Sequence, residues 1–131
     1  ERDRRVYPMR EGQIRSIQYH SCRGMEGWST LCIGLDQFFA FQLQHPQIDL
    51  ERLQSRLRRE HGIFLDDEMI EKARVAEAQS FAINWLMIPL TRSIDHLIVH
   101  IHDPRSQLGQ ILKRVSNRIP GSIEWIESDA P

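Results

Sequence analysis

Cysteine is scarce in this chain of 131 residues: Cys22 and Cys32 are the only two. They can form at most one bridge, which excludes a disulfide-stapled scaffold and makes a reducing, cytoplasmic setting the expectation. An excess of charge of either sign is also missing. Seventeen Lys and Arg stand against 18 Asp and Glu, for a net charge of −1. That balance excludes a polybasic nucleic-acid coat and an acidic tail, and leaves room only for a local basic groove. No apolar run approaches the ~18 residues of a membrane span, so no membrane partner is expected. Glu1 to Arg5 do not lead into the apolar stretch of a signal peptide. An initiator Met is absent as well, and the expectation is a piece excised from a longer polypeptide.

What is present suits a single α/β domain over 1–131, since domains cluster near ~100–150 residues. The 40% hydrophobic and 27% charged content is that of a globular chain able to bury a core without staples. Gln13–Tyr19 reads as a strand, and Ser29–Leu35 (STLCIGL) as a short apolar strand buried on both faces. From Asp49 the apolar period becomes helical. Leu50, Leu53 and Leu57 follow Asp49 as N-cap, and Gly62 is a stop. Asp66-Asp67-Glu68 places negative charge at the next helix start, where free N–H groups favour it over a metal-site reading. Phe81–Leu90 (FAINWLMIPL) is apolar nearly all round, which predicts an interior helix that kinks or ends at Pro89. The segment at about 37–80 is expected to be a helical insertion.

Leu97–Ile101 (LIVHI) is the best strand in the chain. Asp103-Pro104 predicts the start of an amphipathic helix carrying Leu108, Ile111, Leu112 and Val115, with Pro120-Gly121 as its stop. Ile123 to Ile126 adds a last short strand. Apolar strands separated by helices predict a parallel sheet.

Two segments concentrate chemistry. The loop Tyr19-His20-Ser21-Cys22-Arg23-Gly24-Met25-Glu26-Gly27-Trp28 gathers a His, a Ser, an Arg, a Glu and two Gly between predicted strands. Loops at the carboxyl ends of parallel strands bind ligands in α/β proteins, although a plain polar turn has the same composition. Cys22, beside an Arg and a His, is a candidate for a lowered thiol pKa. Leu90-Thr91-Arg92-Ser93 ends the apolar helix. An Arg held by rigid surroundings there can stabilise phosphate charge, or it can simply cap the helix's last carbonyls.

Together these segments resemble the UvrD/Rep-like superfamily 1 helicases. Ile17–Gly34 (IQYHSCRGMEGWSTLCIG) is similar to motif V, a strand followed by a Thr-His-Ser-x-Lys-Gly-Leu-Glu turn and a hydrophobic strand. Trp85–Ile101 (WLMIPLTRSIDHLIVHI) is similar to motif VI, in which a buried helix with Tyr-Val-Ala-x-Thr-Arg-Ala leads into a strand. The resemblance implies a three-layer parallel sheet like the second RecA-like domain of such helicases, or its C-terminal part. It implies single-stranded DNA near His20, Ser21 and Arg23. It implies ATP near Gly24, Glu26, Thr91 and Arg92, with Arg92 as the arginine finger and catalytic residue. Glu26 and Arg92 should then converge at one rim of the sheet.

No Gly-x-x-x-x-Gly-Lys-Ser/Thr loop and no Asp-Glu pair after a β-run occurs here, so the chain alone should not hydrolyse ATP. In the family those elements, and most contacts to ATP and Mg²⁺, belong to an N-terminal ATPase domain of the same full-length protein, which is the implied partner. Tyr19, Gly27, Met87, Pro89 and Ala82-Ile83-Asn84 depart from the motifs. They support the alternative of a non-catalytic protein- or nucleic-acid-interaction module with a degenerate helicase fold.

His96, His100 and His102 have only Asp103 nearby and fall short of a zinc ligand set, so no metal is expected. Trp28 and Trp125 read as core or interface residues that could also stack on bases. Arg52, Arg56, Arg58 and Arg59 read as a solvated face or as phosphate contacts.

Overall fold

The computed structural model describes residues 14–62 and 65–127. Among these residues the structure is mixed α/β, with two parallel strands, β1 (Gly27–Ile33) and β2 (Ser93–His100), and four α-helices. The helices are α1 (Leu35–Gln44), α2 (Leu50–His61), α3 (Asp67–Leu90) and α4 (Gln107–Arg118). The first three connect β1 to β2, because parallel strands need a long crossover. Gly27 pairs with Ser93, and Ser29 to Ile33 pair with His96 to His100. A register irregularity lies between Gly27 and Ser29.

Local chemistry accounts for most of these boundaries. Asp49 Oδ1 accepts from Arg52 N at 3.0 Å and starts α2, and Gly62 follows its last residue. Asp66 Oδ1 accepts from Met69 N at 2.7 Å and starts α3, so the acidic run is a cap as expected. Pro89 sits in the last turn of α3, and the helix ends one residue later. At the end of β1, Gly34 takes φ 63°, a left-handed conformation that side chains disfavour. The strand therefore switches to α1 there, and Leu35, expected to close the strand, is the first residue of the helix.

Other expectations are corrected. Residues 14–18 form no strand, and Tyr19–Ser21 is a single 3₁₀ turn (Gln13 lies outside the described residues). Ile14 is almost wholly exposed and pairs with no strand among the described residues. Ile123 to Ile126 is irregular. The last helix begins after Ser106, whose Oγ accepts from Gly109 N at 3.1 Å, whereas Asp103 closes the preceding turn through Arg105 N at 2.9 Å.

The core lies between the sheet and α1, α3 and α4. Cys32, Leu35, Phe39, Ala82, Leu86 and Leu108 form it, with Val99, Ile101 and Leu112 packed against it. Side chains alternate faces along a strand, so the neighbours of Cys32 point away from the helices. Cys32 is 1% exposed, but Leu31 is 58% and Ile33 66% exposed. β1 is therefore buried on one face and not two. The helix over Phe81–Leu90 behaves likewise: Ala82, Leu86 and Pro89 are buried, while Ile83 and Met87 are about half exposed. Both cysteines are buried and free. Among the described residues no helix is long and apolar enough to cross a membrane.

Candidate functional site

The two motif-bearing segments meet where the strands begin. Gly27 N–H donates to the Arg92 carbonyl at 2.9 Å, and Gly27 pairs with Ser93. Glu26 and Arg92 each immediately precede their strand, so their backbones converge at one rim of the sheet. The rim is the amino-terminal one. The expectation of a carboxyl-end loop is overturned because the segment before the loop forms no strand.

Arg92 is half-buried and held by the end of α3. Its backbone N–H bonds Pro89 O at 3.2 Å, a tightened turn that leaves the Ile88 carbonyl without its usual N–H partner. Arg92 Nε donates to that oxygen at 2.9 Å. Thr91 Oγ1 donates to Met87 O at 2.7 Å and to Ile88 O at 3.3 Å. Thr91 and Arg92 thus cap the helix. The bond at Nε fixes the guanidinium plane and leaves its Nη edge for another partner.

The loop before β1 is pinned from below. Tyr19 Oη donates to Ile33 O at 2.7 Å, and burial, with Cys32, Cys22 and Asp36 nearby, holds its phenol far above the usual tyrosine range. Cys22 Sγ donates to Tyr19 O at 3.0 Å. Burial pushes the Cys22 thiol up, outweighing the opposing effect of the Arg92 and Arg23 cations. The lowering that the adjacent cations favour is thus outweighed by desolvation.

His20 and Arg23 converge on Trp85 of α3. The His20 ring lies 5.0 Å from Trp85 and 5.4 Å from Phe38, edge-on to the latter. Its Nε2 is 3.1 Å from Nε2 of the buried Gln42. An amide nitrogen only donates, so His20 Nε2 is the acceptor of this contact. Arg23 stacks its guanidinium over the Trp85 ring, 4.9 Å from the centroid. Ser21 is exposed at the end of the 3₁₀ turn. Gly24 has φ 71°, and a Cβ there would meet nothing within 4 Å. The left-handed bend, and not crowding, is what requires glycine.

The site residues therefore fall into two groups, drawn from the loop before β1 and the end of α3. Glu26, Thr91 and Arg92 lie at the rim. His20 and Arg23 lie beside a cavity of about 400 Å³ lined by Arg23, Gln47, Phe81, Asn84 and Trp85. Sequence reasoning missed Gln47, Phe81, Asn84 and Trp85 as lining residues. The one available signal was Asn84 beside Trp85 in a run otherwise apolar.

Of the remaining candidates, His100, His96, Arg56 and Trp125 make local contacts. Gly34 N–H donates to His100 Nδ1 at 3.3 Å, and His96 Nδ1 pairs with Asp95 at 2.8 Å. Among the described residues no group of three or more His, Cys, Asp or Glu is placed to hold a metal ion. Trp28 is not in the core but 73% exposed, and Trp125 lies against Lys113, 5.7 Å from its ammonium. Arg56 pairs with Glu77 at 2.9 Å. The chain matches no protein-family model, no curated protein and no solved structure.

Proposed function

We propose that this chain is part of the second RecA-like domain of an ATP-dependent superfamily 1 DNA helicase. In that reading its mixed α/β fold belongs to a larger three-layer sheet, and a separate ATPase domain supplies the phosphate loop and the Mg²⁺ site. The observation that carries the reading is the hydrogen bond from Gly27 N–H to Arg92 O, which brings the Glu26 and Arg92 segments to one rim.

Each residue then has a defined task. Arg92, oriented through Nε, presents its Nη edge to the γ-phosphate and stabilises the charge that develops as the phosphoryl group transfers. Glu26 accepts hydrogen bonds from the ribose hydroxyls. Gly24 lets the backbone approach the phosphates, and Thr91 fixes the helix end from which Arg92 projects. His20, Ser21 and Arg23 face the single strand. No step is routed through Mg²⁺ on this chain, whose described residues offer no donor cluster.

The test is ATP turnover by the full-length polypeptide with and without single-stranded DNA. Arg92→Ala should lower DNA-stimulated turnover by ~10³-fold or more. Arg92→Lys should not restore it, because an ammonium lacks the planar fork. Unchanged turnover in Arg92→Ala overturns the assignment. One observation favours the alternative of a non-catalytic interaction module: Arg92 Nε and Thr91 Oγ1 are already engaged in capping their own helix. That alternative expects strand or protein binding with no turnover even in the unaltered polypeptide.

A further inference from the structure

We infer that the cavity beside Trp85 is a nucleobase pocket, in which a single base of a nucleic-acid strand stacks on the indole and is held at its polar edge by Asn84 and Gln47. The source of the base rests on the single-strand reading above. The chemistry of the pocket does not.

The lining combines one cation, two primary amides and two aromatic rings, with no carboxylate among them. The cleft measures about 400 Å³ and is open to solvent. Trp85 is the floor. Phe81 stands beside it at 6.3 Å and 65°, and His20 at 5.0 Å and 59°, so other rings flank the flat indole. A flat floor selects a flat ligand. The amides of Asn84 and Gln47 each donate and accept in one plane, which is what the mixed edge of a purine or pyrimidine requires. An acidic peptide would use the cation alone and leave both amides and both rings idle.

Arg23 supplies the remaining part. Its guanidinium now covers the indole face, and the side chain is exposed. An exposed cation–π contact is weaker than base–aromatic stacking, so an entering base displaces it. Arg23 then turns to the phosphate of the same nucleotide, a charge-assisted contact that a neutral ligand cannot repay. Gln42, by holding His20 Nε2, keeps the ring wall in place.

The experiment uses the whole chain with Trp28→Phe and Trp125→Phe, leaving Trp85 as its one tryptophan, excited at a wavelength that tyrosine does not absorb. Oligothymidylate, adenosine monophosphate and a neutral glucose oligomer are titrated in turn. Strand binding is read separately from the anisotropy of a labelled oligonucleotide. The expected result is quenching of Trp85 by the oligonucleotide, with affinity lowered about 10-fold by Asn84→Ala and by Arg23→Ala, the latter also reducing the salt dependence. Both variants alter exposed side chains, so loss of fold does not confound them. Strand binding without quenching overturns the pocket and leaves the single-strand reading standing. Quenching by the mononucleotide with no strand binding supports the base pocket and overturns the single-strand reading. Quenching by the glucose oligomer alone, or by none of the three, overturns the base assignment.

Discussion

The two ends of the sheet are built on opposite principles. At the carboxyl-terminal end everything is tied down. Asp36, only 5% exposed in the first turn of α1, accepts from His102 N at 3.0 Å and from Asp103 N at 2.9 Å. His100 and the Tyr19 phenol secure the backbone at Gly34 and Ile33. At the amino-terminal end the strands hold each other through Gly27 and Arg92, and the side chains of Arg23, Glu26 and Trp28 stand in solvent. One end uses buried polar groups to fasten the fold, and the other leaves polar side chains exposed. The lesson is that candidate functional residues here are recognised less by burial than by being held in place while still exposed.

The largest effect tests that contrast directly. Asp36→Ala removes the acceptor of two part-buried N–H groups, and hydrogen bonds to a charged group contribute ~1.5–3 kcal/mol each, so a loss of about 3 kcal/mol is expected. Arg23→Ala at the other end should stay within ~1 kcal/mol, the value of an exposed cation–π contact. Urea unfolding midpoints compare them. Equal losses would break the distinction between the two ends.

A pH profile sharpens it. Burial pushes the Asp36 carboxyl up, but the N–H groups of His102, Asp103, Asp36 and Gln37 together outweigh burial and leave its pKa below the usual carboxylate range. A depressed pKa in the folded state means that its stabilisation is present above the unfolded value, near ~3.9. That stabilisation is lost as pH falls through the folded value. Acid titration of unfolding free energy should therefore show a limb below pH ~4 that Asp36→Asn removes.

These pieces differ in how far sequence reveals them. The starts of α2 and α3 were legible because Asp49 and Asp66 cap helices three residues away, a local interaction. Asp36 was not, since its partners lie across the core and nothing in LCIGLDQ announces them. Strand expectation failed at residues 14–18 for a related reason. Apolar content there favours a strand, but a strand exists only if a neighbour pairs with it, and none of the described residues does. At the site, the resemblance implied that Glu26 and Arg92 converge, and their backbones do, whereas Gln47, in the loop between α1 and α2, and Asn84 of α3 line one cleft only through tertiary packing.

The buried thiol of Cys32 gives a smaller effect of opposite sign. Burial, with a minor contribution from Cys22, raises its pKa to about 11. A raised folded value means stabilisation that is complete below the unfolded pKa, near ~8.5, and is lost as pH rises toward 11. Cys32→Ala should flatten that alkaline limb. In the unaltered chain both thiols should react with an aromatic disulfide reagent only as fast as the chain opens, because each is buried and protonated at neutral pH.

The smallest effect carries the contrast from the ends of the sheet to its faces. Ile98 and Val99 are neighbours in β2, paired with Leu31 and Cys32 of β1. Val99 packs against the helix-covered core, whereas Ile98 is 58% exposed on the far face. Parallel strands are ordinarily covered on both sides, and an apolar residue left in solvent contributes little burial energy to lose. Ile98→Thr keeps the β-branch that suits a strand and should change stability by no more than ~0.5 kcal/mol. Val99→Thr places a hydroxyl against an apolar core and should cost ~1–3 kcal/mol. If Ile98→Thr proves as damaging as Val99→Thr, the far face is buried in solution by something, and its apolar residues belong with the fastened part of the molecule.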